Sequence, residues 1–89
     1  MSETLNFGQA LEHAKEGKKI CREGWNGKGM YIYHVPENSY PAVTEIAKNE
    51  FGEQVPYGAY LAMKTVQNNV LPWVTSQADV LAQDWMVLA

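Results

Sequence analysis

The chain has 89 residues, a net charge of −3 and 46% hydrophobic residues, the profile of one small globular domain and not of a disordered tail. No apolar run approaches the ~20 residues of a membrane-spanning helix, and the acidic start Met1-Ser2-Glu3-Thr4 predicts no secretory leader. Cys21 is the only cysteine, which excludes an intrachain disulfide and predicts a reducing, cytoplasmic setting, while the acidic balance argues against duplex nucleic acid as a partner.

Phe7, Ala10, Leu11 and Ala14 recur at i, i+3, i+4 and i+7, which is one face of an amphipathic helix. The helix is predicted over residues 6–16, with the Asn6 side chain capping its start and Gly17 ending it in a left-handed conformation. Lys18–Glu23 reads as a strand with Ile20 and Arg22 on one face and Cys21 on the other. Gly24-Trp25-Asn26-Gly27-Lys28-Gly29 is a turn, in which Asn-Gly is a strong hairpin signal, and Met30–Val35 is a second strand. Residues 18–35 therefore form a predicted hairpin whose tip carries Trp25, Asn26 and Lys28.

Residues 36–59 are less regular, broken by Pro36, Pro41, Gly52, Pro56 and Gly58, although Val43, Ile46 and Ala47 mark one face of a short helix ending near Gly52. Tyr60–Val66 reads as a third strand, Gln67-Asn68-Asn69 as a polar turn and Val70–Val74 as a fourth strand. Pro72 confines that strand to an edge or a strand end, because proline cannot donate a ladder hydrogen bond. Ser76-Gln77-Ala78-Asp79 is a capping-box pattern opening a helix of about eight residues, and Trp85–Leu88 closes the chain as a short strand. This order predicts an α+β fold in one domain over 1–89: a small, mainly antiparallel sheet with two or three helices packed on one face.

The chemistry of catalysis is thin. Cys21 lies mid-strand, where a small core thiol is expected before a nucleophile. His13 and His34 are scattered and have no metal-ligand spacing, and Asp79 and Asp84 read as helix-cap and helix-end residues, not as an acid–base pair. The glycines at 24, 27 and 29 sit in a hairpin, not between a strand and a helix as in a phosphate loop. What remains is a binding surface. Trp25 and Trp73 offer flat faces for a nucleobase, Asn26, Ser76 and Gln77 offer hydrogen bonds, and Arg22 and Lys28 offer phosphate contacts. Trp85 reads as core, Trp73 is open to either role, and Trp25, on a glycine-rich tip, is least easily explained as core. Five of the seven basic residues lie within residues 15–28, a local positive zone suited to a small phosphorylated ligand.

Asn6-Phe7-Gly8-Gln9-Ala10-Leu11, Glu16-Gly17-Lys18-Lys19 and Arg22-Glu23-Gly24-Trp25-Asn26-Gly27-Lys28-Gly29-Met30 resemble the N-terminal half of the Thoeris anti-defence 2 family of small phage and prophage proteins. Met63-Lys64-Thr65, Pro72-Trp73, Ser76-Gln77-Ala78-Asp79 and Ala82-Gln83-Asp84-Trp85 resemble its C-terminal half, whereas residues 37–58 have no clear counterpart. The resemblance implies a sponge that holds cyclic ADP-ribose-type signals, with some relatives also holding cyclic oligonucleotides, without cleaving them and without a cofactor. It implies homo-oligomers, tetramers or at least dimers, with ligand pockets between protomers. The candidate ligand residues are then Arg22, Trp25, Asn26, Lys28, Met30, Trp73, Ser76, Gln77 and Asp79. The competing reading is a non-enzymatic interaction or structural module of a phage, with Trp25 as the anchor for a partner.

Overall fold

Helix and strand periods alternate along the chain, and the elements follow them. A computed structural model describes residues 4–25 and 29–88. Helix α1 spans Phe7–Lys15 behind a capping box, in which the Asn6 side chain accepts from the Gln9 amide and the Gln9 side chain accepts from the Asn6 amide. Gly17, at φ 96°, closes it, and the amides of Gly17 and Lys18 donate back to the Ala14 and His13 carbonyls, as expected of a left-handed helix end.

Strands β1 (Lys19–Arg22), β2 (Tyr31–Val35), β5 (Tyr60–Lys64), β6 (Val70–Pro72) and β7 (Trp85–Leu88) form one sheet in the order β6-β5-β2-β1-β7, and each neighbouring pair is antiparallel. Pro72 is on the edge strand, as its missing donor requires. Register sorts the side chains. Ile20 faces Ile32 and Val87, and Ile32 faces Met63, so this row shares the face on which α1 packs. Ala10 and Ala14 are fully buried there against Ile20, Ile32 and Trp85, and their small side chains let the helix approach the sheet closely. On the opposite face Cys21 is paired with Met86, Tyr31 with Lys64 and Tyr33 with Ala62. Helix α1 lies across β1, β2 and β7, and α3 (Gln77–Leu81) packs on α1, so neither covers that second face among the described residues.

The segment 36–59 contains the short helix expected to end near Gly52, and beyond that two strands the sequence does not predict. It holds β3 (Asn38–Pro41), α2 (Glu45–Phe51) and β4 (Gln54–Tyr57), with β3 and β4 paired as a second, two-stranded sheet. From Tyr31↔Lys64 through Val35↔Tyr60 and Asn38↔Tyr57 to Pro41↔Gln54, each step forward on one side is matched by one step back on the other, so the antiparallel register is the same throughout. The second sheet therefore continues the β2–β5 ladder in register. Prolines and glycines break the pairing around residues 36–37 and 58–59 without shifting it. At about 3.3 Å per residue, the whole ladder runs about 33 Å from Tyr31 to Pro41, and α2 sits at the tip of the arm against β4. The molecule measures 50 × 25 × 25 Å with a radius of gyration of 15.3 Å, against about 12 Å for a compact chain of this length.

Two further expectations need correction. Helix α3 has five residues and not about eight. Its end is fixed because Asp84 must turn back toward β1 and the Trp85 indole takes the Asp79 carbonyl. Trp25, expected on an exposed tip, instead packs against the core. Residues distant in sequence bury what its glycine neighbours cannot.

Candidate functional site

At the end of β1 the chain turns through Glu23 and Gly24, and Asp84 fixes that turn. The Glu23 amide donates to the Asp84 carbonyl at 2.9 Å, and the Gly24 amide donates to Asp84 Oδ2 at 3.2 Å. A Cβ on Gly24 would lie 3.3 Å from that same oxygen, a close approach that favours glycine. Arg22 stands beside the turn and donates to two carboxylates. Its Nε meets Asp84 Oδ1 at 2.8 Å and its Nη1 meets Asp79 Oδ1 at 2.9 Å. Hydrogen bonding from Arg22 holds the Asp84 carboxyl below its usual pKa despite partial desolvation, and Asp84 and Asp79 in turn raise that of Arg22. Ser76 caps α3 by accepting from the Asp79 amide at 3.1 Å, and the Trp85 indole donates to the Asp79 carbonyl at 2.8 Å. Asp79 thus ties α3, β1 and β7 together.

Around this strut the three tryptophans converge. Trp85 is fully buried. Trp25 lies edge-on to it with ring centroids 5.4 Å apart, Trp73 lies 6.1 Å from it, and Trp25 and Trp73 are 6.5 Å apart. Phe7 closes the cluster from α1, 5.2 Å from Trp85. T-shaped and tilted contacts of this kind match the ring quadrupoles. Trp73 is only half buried and also forms a wall of an adjoining groove of about 510 Å³ with Tyr57, Tyr60, Leu61, Pro72 and Val74. That volume lies within the range of small-molecule sites. A second hollow of about 510 Å³, lined by Tyr33, Tyr40, Val43, Tyr57 and Tyr60, adjoins it through the shared tyrosines.

The structure brings together Arg22, Trp25, Trp73, Ser76 and Asp79. It places Gln77 exposed in the first turn of α3 and Met30 half-buried just before β2. Asn26 and Lys28 lie outside the described residues. Arg22 and Asp79 neutralise one another, and Ser76 is occupied as a cap, so these three build the base of the site and are not an open phosphate cradle. The aromatic walls Tyr57 and Tyr60 escape the sequence reading. The only sequence signal for them is a pair of tyrosines flanking Gly58-Ala59, where the two sheets join.

Cys21 is buried and free, with its thiol pKa pushed up by burial and by the nearby Asp84. Among the described residues no three His, Cys, Asp or Glu side chains converge to hold a metal ion. Among the described residues no helix is long and apolar enough to cross a membrane.

Comparison with known proteins extends over the same residues. The family model described as a Thoeris anti-defense 2-like domain matches residues 5–88. A relative from Bacillus phage SP01, named Thoeris anti-defense 2, is 34% identical over 89 residues, spanning 100% of both chains.

Proposed function

Because the chain belongs to the Thoeris anti-defense 2-like family, we propose that it is a phage anti-defence protein that sequesters cyclic ADP-ribose-type immune signals in the cytoplasm of the infected host. It binds the signal without cleaving it, and it does so as a homo-oligomer. The observation that carries this reading is the composition of the groove beside Trp73. Its walls offer aromatic and aliphatic surface for a base and a ribose, while its lining among the described residues includes no Lys or Arg. A diphosphate needs cationic or amide donors, so the groove is half of a nucleotide site. The other half comes from a neighbouring protomer, which is why assembly and binding belong together. Cyclic oligonucleotides share the same base and phosphate chemistry.

Incubation with a cyclic ADP-ribose isomer, removal of free ligand, heat denaturation and mass spectrometry of the released compound test the proposal. Intact ligand in the released fraction is the expected result. Altered ligand makes the protein an enzyme, and no retained ligand leaves it as an interaction module. In the same assay Trp73→Ala is expected to weaken binding by about 1–3 kcal/mol, the value of one base–aromatic stack.

A further inference from the structure

Two surfaces of opposite chemistry lie at the two ends of the long ladder. At the tip, α2 and the residue preceding its cap expose Ile46 to 82% and Val43 to 86%, with Phe51 also exposed. Glu45, Glu50 and Glu53 lie in the same segment, Glu45 and Glu50 on α2 itself and Glu53 just after it, and outnumber Lys48. At the other end is the sheet face that neither α1 nor α3 covers. There the rings of Tyr31 and Tyr33 lie 6.1 Å apart, and two ammonium groups flank Tyr31, Lys19 Nζ at 5.1 Å and Lys64 Nζ at 5.9 Å from the ring centroid. Among the described residues none of these glutamates or lysines forms an ion pair.

The first patch is apolar with an acidic rim, and the second is aromatic with a basic rim. They cannot meet within one chain, because they lie at opposite ends of a ladder about 33 Å long. We propose that α2 of one copy docks on the Lys19–Tyr31–Lys64 face of a second copy. Burying Ile46 and Val43 against the tyrosines supplies the apolar drive, and the opposed charges select this face over others. A closed two-fold pair uses the contact twice, each copy giving one arm and receiving one. This inference rests on the homo-oligomeric reading above and assigns the surfaces that build the assembly.

Charge reversal on each side tests it. Glu45→Lys with Glu50→Lys changes the arm, and Lys19→Glu with Lys64→Glu changes the face. Solution mass is followed by light scattering through a dilution series, and circular dichroism establishes that each variant is folded. Either reversal alone is expected to weaken association by about tenfold or more, since like charges then face each other. Mixing the two variants, or combining all four substitutions in one chain, is expected to restore the wild-type mass. A monomeric wild-type protein at micromolar concentration overturns the assembly reading, and this docking with it. An oligomeric wild type that tolerates both reversals, or reversals that dissociate it without rescue on mixing, overturns the docking alone. If the face reversal unfolds the chain because Lys64 no longer holds the Gly29 carbonyl, Lys19→Glu paired with Glu45→Lys carries the same test.

Discussion

Asp84 serves several groups at once: the Arg22 guanidinium, the Gly24 amide and, through its carbonyl, the Glu23 amide. Its carboxyl pKa is lower folded than unfolded, so the folded state binds that proton less readily. The stabilisation is complete above the ordinary aspartate value of about 3.9 and fades as pH falls through the lower folded value. Urea unfolding at a series of pH values is expected to show wild-type stability dropping on the acid side. Asp84→Asn should be less stable at neutral pH and should show a shallower acid-side fall. The tryptophans divide by burial. Trp85→Ala removes the centre of the ring cluster and should cost about 3–5 kcal/mol, read from denaturant midpoints. Trp25→Ala is expected to lower stability less, because the ring is only partly buried, so any loss of affinity in that variant must be read beside its unfolding curve.

Helix α3 shows how a short element is held. Five residues cannot sustain an isolated helix, so its cap and its links to the sheet decide whether it forms. Ser76→Ala should cost about 1 kcal/mol and lower the global Tm, because α3 packs on α1. Thr44→Ala removes the corresponding cap of α2. It is expected to lose amide protection at the arm tip while leaving the Tm of the main sheet nearly unchanged, and hydrogen exchange separates the two effects. Helix α1, the strands of the main sheet and the edge position of Pro72 were legible in the sequence because caps, alternation and proline are local signals. Of the arm, α2 was legible as a short helix ending near Gly52, but strands β3 and β4 were not, since prolines and glycines interrupt the alternation that marks a strand. The base of the candidate site was half legible. Its residue types stood out, but Arg22 meets Asp79 and Asp84 across 57 and 62 positions. No local pattern shows that such a cation is already neutralised, or that Trp25 turns back onto Trp85.

The whole molecule is a packed sheet-and-helix body with a long arm. The arm leaves through the opposed pair Val35↔Tyr60, which is the flank a tight turn needs. Replacing residues 36–59 by Asn-Gly, a two-residue hairpin turn, is expected to leave a cooperatively folding five-stranded body by circular dichroism and thermal melting. If assembly runs through α2, that shortened chain is monomeric by light scattering. The constant register along the ladder also limits how such a chain can change length over time. A residue gained or lost on one strand alone would shift every later pair by one position and turn each side chain to the wrong face. Lengthening the arm therefore requires matched insertions on both sides of α2, two residues for two. Unpaired changes are tolerated only where the ladder is already open, around residues 36–37 and 58–59, or in the turns that flank α2 at the tip.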